Sequence, residues 1–365
     1  MTRRLLASFS LILIVGCATQ EPAVLRYGVQ DAPEGKRLLW PAEPEVPRYM
    51  YAGQLLGEAN FRTPGARAAE GLMGVLRAIA GVIVGEAKPI ELVRPQSGAV
   101  DAAGRIYVTD ASRQAVFVFD PVAGKLDIWE KAEGLANFSA PVALAVGKDL
   151  AVGKGLVYVT DAELGIVARL DAAGTAQRAL GRGLFKRPTG LALDPERGEL
   201  YVSDTGAHDI KVLDLAGTLK RVLGRRGEGE GEFNYPTHLA FAEGELYVTD
   251  TMNSRIQVLD GASGAMRRTF GARGLYVGNL VRPKGVALDS ERNVYVVESY
   301  YDHLLVFDRH GRFLMGIGGL GADSGKFYLP AGVWTDHLNR VFVADMFNGR
   351  VVLFQHLGGG ADGEQ

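Results

Sequence analysis

Acidic residues at regular intervals are the first group in this sequence with a potential for chemistry. Each ends a short β-favouring run such as Leu246-Tyr-Val-Thr-Asp250, and the set is Asp110, Asp161, Asp204, Asp250, Glu298 and Asp345. Successive members are 51, 43, 46, 48 and 47 residues apart. Such a carboxylate can act as a general acid or base, or it can accept hydrogen bonds from the following turn. Six copies favour the second role, because a catalytic group is needed only once.

Bulky apolar side chains follow the acidic residue in the last three copies of the pattern. They are Met252, Tyr300, Tyr301, Met346 and Phe347. Large apolar side chains on adjacent exposed loops mark a binding surface more often than scattered ones do. The alternative is that several of them turn inward against neighbouring loops. We predict that these five residues form a binding patch.

The period of the acidic residues indicates how the chain is organised. Spacings of 43 to 51 residues, each with room for about four short strands, are typical of propeller blades. A strand that begins with proline precedes most marked strands, as in Pro188-Thr-Gly-Leu-Ala-Leu-Asp194, and its small residues suit the crowded axis of a propeller. The start of this strand and the turn after the acidic residue then lie on one face.

Three of the six histidines map to that face: His208 and His303 in turns, and His238 at the start of an innermost strand. Grouped histidines can bind zinc. The sequence has a single cysteine, so neither a disulfide nor a cysteine zinc site can form within the chain. We expect no metal and no cofactor, with these three histidines as the candidate ligands and His238 as a residue of the axial channel.

Two of the repeats carry a fuller motif. Phe233-Asn-Tyr-Pro236 through Gly271, and Phe327-Tyr-Leu-Pro330 through Phe354, contain the Pro strand, a Tyr-Val-x-Asp or Phe-Val-x-Asp strand, and an Asn-x-Arg turn. This order resembles the NHL-repeat family over roughly residues 94 to 356, although the first two repeats lack Asn-x-Arg. The resemblance implies a six-bladed β-propeller with four-stranded antiparallel blades. Some lyases of the NHL group hold zinc with histidines of the inner strands.

The last repeat tests this architecture, because the chain ends before its fourth strand. Residues 48–61 match an outer strand and its following turn, so we predict that they close the ring by pairing with the C-terminal strands. The propeller then spans 48–358, with the blades at 94–358 and a polar tail at 359–365. Helical spacing of apolar residues predicts one inserted helix over 66–85.

The N-terminus predicts a membrane anchor. Arg3 and Arg4 precede an eleven-residue apolar run, too short to span a bilayer, that ends in Ile14-Val-Gly-Cys17. These four residues resemble the bacterial lipobox, which implies a signal peptide over 1–16 and a lipidated Cys17. Residues 17–47 are rich in proline and acids and are predicted to form a tether. An ordinary signal peptide is the alternative.

Composition limits the function further. A net charge of −2 gives no basic field for nucleic acid, and Gly-x-Ser-x-Gly, His-Glu-x-x-His and Walker motifs are absent. We predict a monomeric, non-enzymatic lipoprotein of the bacterial cell envelope that faces the periplasm or exterior. The outer membrane is the preferred location, and the ligand is a protein or peptide. The alternative is a metal-dependent lyase or hydrolase with its site in the axial channel near His238.

Overall fold

The computed structural model describes residues 23–28, 37–62, 88–147 and 155–358. Within these residues, strands join into six antiparallel blades, five of which have four strands in chain order. The innermost strands of successive blades contact one another in a closed ring, with the sixth against the first. The predicted all-β six-bladed propeller is therefore confirmed.

The strands have the following bounds. Blade one contains Pro95–Val100, Ile106–Asp110, Ala115–Asp120 and Lys125–Trp129, and blade two contains Pro141–Val146, Val157–Asp161, Ile166–Leu170 and Ala176–Leu180. Blade three contains Pro188–Asp194, Glu199–Asp204, Asp209–Asp214 and Leu219–Leu223, and blade four contains Pro236–Ala242, Glu245–Asp250, Arg255–Asp260 and Met266–Phe270. Blade five contains Pro283–Leu288, Val294–Glu298, His303–Phe307 and Phe313–Gly318. Blade six contains Val333–Thr335, Arg340–Asp345, Arg350–His356 and Tyr49–Leu55. A small hairpin, Lys131–Glu133 with Ala136–Asn137, follows blade one.

The second strands are buried almost throughout, because each blade is covered on both sides by its neighbours. Leu246 and Val248 are fully buried toward blade three, and Tyr247 packs toward blade five. Such runs of Leu, Val and Tyr favour the extended chain and fill the space between the blades.

The predicted closing strand is present. Tyr49–Leu55 pairs antiparallel with Arg350–His356, so blade six combines strands from both ends of the propeller. Leu39–Trp40 adds a fifth strand outside it, and the Trp40 ring lies edge-on to Phe354 with 5.4 Å between the ring centroids. This pairing satisfies the backbone groups that an open sheet edge would expose.

Part of the predicted tether lies against the propeller. Val24–Leu25 pairs with Phe61–Arg62, and the Tyr27 hydroxyl accepts a hydrogen bond of 2.8 Å from Arg340 Nη1. The predicted signal peptide, Cys17, the helix over 66–85 and the tail at 359–365 fall outside the described residues. Helices long and apolar enough to cross a membrane are absent from the described part of the chain. The short 3-10 helices there are Glu58–Asn60, Thr251–Asn253 and Met346–Asn348.

One face of the propeller collects the residues that the repeat pattern marked. In blades one to five the first residue of the inner strand, a proline, lies opposite the acidic residue that ends the second strand, as Pro236 does to Asp250. We call this side the loop face. It carries the turns after the acidic residues and the segments that lead into the inner strands.

Candidate functional site

The six acidic residues hold the loop face together. Asp110 accepts backbone hydrogen bonds from Val93 at 2.6 Å and Arg94 at 2.9 Å, and it is fully buried. Asp250 accepts one from Asn234 at 2.7 Å and a charged one from Arg255 Nε at 2.8 Å. Arg255 and Arg350 form ion pairs with Asp250 and Asp345, each at 2.8 Å. These carboxylates therefore accept structural bonds that hold the turns of the loop face.

The turns that follow the acidic residues share a pattern of buried and exposed positions. The first residue after the acid is buried in blades two to six, and these residues are Ala162, Thr205, Thr251, Ser299 and Met346. The second residue points outward in blades four to six, where Met252 is 53% exposed, Tyr300 56% and Phe347 50%. Met346 is therefore not part of an exposed patch, because its turn position packs under the loop.

Further aromatic and apolar side chains lie beside the predicted residues. The Phe347 ring lies 5.3 Å from that of Tyr328, and the half-buried Tyr301 ring lies 5.0 Å from Tyr300. Beside Tyr301 the connection from blade four to blade five exposes Leu275, Tyr276 and Val277. These residues border a cleft of about 110 Å³ that also touches His303 and Leu305.

Basic side chains lie among these aromatic groups. The guanidinium of Arg94 stacks 5.5 Å above the Phe347 ring centroid, and Arg282 Nε donates a 3.1 Å hydrogen bond to Ser299 Oγ. Lys284 is the second residue of the inner strand of blade five. Burial, with the charges of Arg282 and Arg94, lowers the pKa of Lys284, so these cations lie close enough to repel one another.

His238 occupies the position of the inner strand where blade three has Gly190, blade five Gly285 and blade six Gly332. It is 8% exposed, and neither ring nitrogen has a hydrogen-bond partner among the described residues. Burial, together with the nearby charge of Lys284, lowers the pKa of His238 from 6.5 to about 3. The imidazole is therefore neutral near pH 7.

Comparison with known proteins agrees with this architecture. The family model described as "NHL repeat" matches residues 185–213, which run from the segment before blade three into its third strand. The chain is a six-bladed β-propeller that contains an NHL repeat. It is 36% identical to the "RING finger protein nhl-1" of Caenorhabditis elegans over 84 residues, which are 23% of this chain and 8% of that protein.

Solved structures with a similar fold differ in what they do. The virginiamycin B lyase of Staphylococcus aureus aligns with a TM-score of 0.52 and 15% identity, over 73% of this chain and 96% of the lyase. A chain from a nidogen/laminin complex aligns with a TM-score of 0.52 and 19% identity, over 68% of this chain and 84% of its own length. At these identities the likeness concerns the fold, and the fold hosts both enzymes and binding proteins.

The three candidate metal ligands of this propeller lie in different settings. His208 Nδ1 accepts a 3.2 Å hydrogen bond from the backbone N–H of Tyr235, whereas His303 borders the cleft beside Tyr301 and His238 lies on the inner strand of blade four. Over the described residues, no three His, Cys, Asp or Glu side chains form a group that could hold a metal ion.

The predicted patch does not include Arg94, Arg282, Lys284, Tyr328 and Tyr276. Its residues come from the turns after the acidic residues, whereas these five lie in the segments that lead into an inner strand or at the start of one. A usable signal was present, because the residue before the strand-initiating proline is Arg94 in blade one, Arg187 in blade three and Arg282 in blade five.

Proposed function

We propose that this propeller is a membrane-anchored, non-enzymatic binding protein that engages a protein or peptide through its loop face. The observation that carries the proposal is the exposed aromatic and apolar arc made by Tyr300, Phe347 and Tyr328, with Tyr276 at its edge. Aromatic side chains offer large contact area at low cost in conformational entropy and are enriched at interfaces. The carboxylates beneath them already accept structural hydrogen bonds.

Anchoring rests on the N-terminal sequence. Cys17 in Ile14-Val-Gly-Cys17 would carry the lipid, at the start of the proline-rich and acidic segment 17–47. Such an anchor would hold the propeller in the bacterial cell envelope, and the outer membrane is the preferred location. Metabolic labelling with a fatty-acid analogue tests the anchor: incorporation into the wild-type chain and loss in Cys17→Ala are expected. An unlabelled wild-type chain would rule the anchor out.

Substitution of the arc tests the binding role. Tyr300→Ala combined with Phe347→Ala should abolish crosslinking of the full chain to its envelope partner, because both side chains are about half exposed and contribute little to the core. The matched control is Val122→Ala combined with Leu338→Ala, which removes exposed apolar side chains from the opposite face. All three proteins should unfold at similar temperatures. Equal crosslinking by the three would refute the proposal.

A second candidate is an enzyme with its site in the axial channel at His238. It is favoured by a buried imidazole that has no hydrogen-bond partner among the described residues and by the presence of a lyase among proteins of similar fold. A neutral imidazole can also ligate a metal ion. Elemental analysis tests the metal-dependent form of this candidate. Zinc or calcium at one ion per chain in the wild type, lost in His238→Ala, would favour the enzyme over the binding protein.

A further inference from the structure

The loop face has a strong asymmetry in its charges. Arginines precede the inner strands of blades one, three and five, and among the described residues only that of blade three has a carboxylate partner. Arg187 Nη1 of blade three lies 2.9 Å from Glu163 Oε1. Arg94 and Arg282 form no ion pair within the described residues, where Arg94 stacks on Phe347 and Arg282 bonds Ser299. The arginines of blades five and one are therefore unpaired, whereas the arginine of blade three is paired.

Lys284 adds a third cation between them. The corresponding residues in the other inner strands are Gln96, Val142, Thr189, Thr237 and Ala331, so blade five alone has a charge at this position. Lys284 is partly buried and has no hydrogen-bond or ion-pair partner in the described part of the chain. A partly buried ammonium without a counter-ion is unfavourable, and an anion bound there would relieve that cost.

Carboxylates near these cations are committed to other bonds. Glu298 is 1% exposed and accepts backbone hydrogen bonds from Val281 at 2.6 Å, Arg282 at 2.9 Å and Tyr300 at 2.7 Å. Asp110 of blade one is used in the same way. Asp302 also lies near Arg282, whose charge opposes the burial that raises the pKa of Asp302, and it accepts a backbone hydrogen bond from Leu329 at 2.6 Å. Within the described residues, none of these acids forms an ion pair with Arg94, Arg282 or Lys284.

Apolar surface adjoins the three cations on both sides. Phe347 and Tyr328 lie beside Arg94 on the blade-six side, and Tyr300 follows Ser299, the residue that Arg282 bonds. The cleft of about 110 Å³ beside Tyr301 offers room for a small apolar side chain. A pure polyanion would pair with the cations but would not pack on the aromatic groups. A peptide with both acidic and apolar side chains complements the cations and the aromatic groups together.

We propose that the partner presents an acidic peptide segment whose side-chain carboxylates pair with Lys284, Arg94 and Arg282 while its apolar side chains pack on Phe347, Tyr328 and Tyr300. This inference rests on the proposed loop-face binding and names the chemistry of the ligand. Pairing would place negative charge where the propeller has three cations without counter-ions. The aromatic groups would exclude water from the ion pairs and so strengthen them.

Selection from a display library of random twelve-residue peptides on the full chain in detergent tests the proposal. Selected peptides should be enriched in Asp and Glu next to apolar or aromatic residues. Affinity of these peptides should fall by about tenfold or more in Lys284→Met and in Arg94→Ala combined with Arg282→Ala, since each change removes a charge-assisted contact. Arg187→Ala, the matched arginine of blade three that is already paired, should leave the affinity within about twofold.

The outcomes separate the ligand class from the binding role. Selected peptides that lose affinity in Tyr300→Ala with Phe347→Ala, yet show no acidic enrichment and bind the cation variants normally, would overturn the acidic assignment alone. Peptides unaffected by all of these variants, or no enriched peptides at all, would overturn loop-face binding as well. Heparin binding as tight as that of the peptides, with no sensitivity to the aromatic substitutions, would assign the site to polyanions and overturn the peptide.

Discussion

The contacts between successive blades, which we call seams and number from the one between blades one and two, differ in their hydrogen bonds at one repeated position near the axis. At the first three seams, a hydroxyl group near the end of the second strand forms a hydrogen bond to the next blade. Thr160 accepts a hydrogen bond from Ala143 N at 3.0 Å and donates to the carbonyl of Thr189 in the next blade. Thr109 and Ser203 make the corresponding contacts, to Val142 and Thr237. At the fourth seam the equivalent hydroxyl, Thr249, is fully buried and has no partner among the described residues.

The difference coincides with His238. Blade three has Gly190 at this position, where even a Cβ atom would overlap the Thr237 carbonyl of the next blade. Blade four has the imidazole of His238 at this position. In the same blade, the hydroxyl of Thr249 forms no hydrogen bond to the inner strand of blade four or to that of blade five. Three polar atoms, two of His238 and one of Thr249, are therefore buried unpaired at one seam. At this hydroxyl position the first three seams avoid that cost, so the fourth seam is the one of these four that departs from the pattern.

The largest effect is expected where a blade loses a whole strand. Deletion of residues 48–53 should lower the melting temperature by several degrees, because Arg350–His356 loses most of its pairing with Tyr49–Leu55. Thermal unfolding followed by circular dichroism measures the change. Deletion of the predicted polar tail, 359–365, serves as the control and should leave the transition in place. An unchanged transition without residues 48–53 would contradict ring closure by this strand.

Acid should weaken the fourth seam through His238. The folded-state pKa of about 3 is below the ordinary value of 6.5, so between these values the unfolded chain binds more protons. Stability is therefore complete above about pH 6.5 and falls as the pH drops toward 3. His238 alone should cost about 2–3 kcal/mol between pH 7 and pH 4.5.

Denaturant titrations at several pH values measure this contribution. His238→Ala should reduce the loss of stability over that range, whereas substitution of the exposed His337 by alanine should not. Parallel pH profiles for the wild type and His238→Ala would show that the imidazole is hydrated in the folded protein, and the fourth seam would then resemble the others.

Removing single hydroxyl groups compares the seams most directly. Thr160→Val should destabilise the fold by about 1–3 kcal/mol, since it leaves the N–H of Ala143 and the carbonyl of Thr189 without their partner. Thr249→Val removes a hydroxyl that has no bond, so it should change the stability by about 0.5 kcal/mol or less, or increase it. Urea midpoints of the two variants give the comparison. Equal losses would mean that Thr249 is bonded in solution.

Much of the fold was predictable because the repeat provides its own internal comparison. Six copies of an acidic residue after a β-favouring run predicted the blades and their second strands, and the missing fourth strand of blade six predicted the closing strand. The bonds made by Asp110 and Asp250 also agree with the structural role that six copies favoured. Repetition is informative here because each blade packs between two neighbouring blades in the same way.

The candidate site was predictable only in part. Met252, Tyr300 and Phe347 are exposed as expected, whereas Met346 is buried because the turn packs its first residue inward. Sequence spacing does not show which of two adjacent apolar residues in a turn faces outward. The unpaired cations were also missed, since the difference between Arg94 and Arg187 depends on a carboxylate, Glu163, from the neighbouring blade.

The sequence alone determined the number of blades, their order and the position of their turns, because these follow from local strand propensity and the period of the repeat. Tertiary structure decided which charges are neutralised, which aromatic groups remain exposed, and that His238 has no hydrogen-bond partner in the described part of the chain. Those properties depend on contacts between blades that lie about 40 to 50 residues apart in the chain. A carboxylate or carbonyl at that distance in sequence is visible as a partner only after the ring has closed.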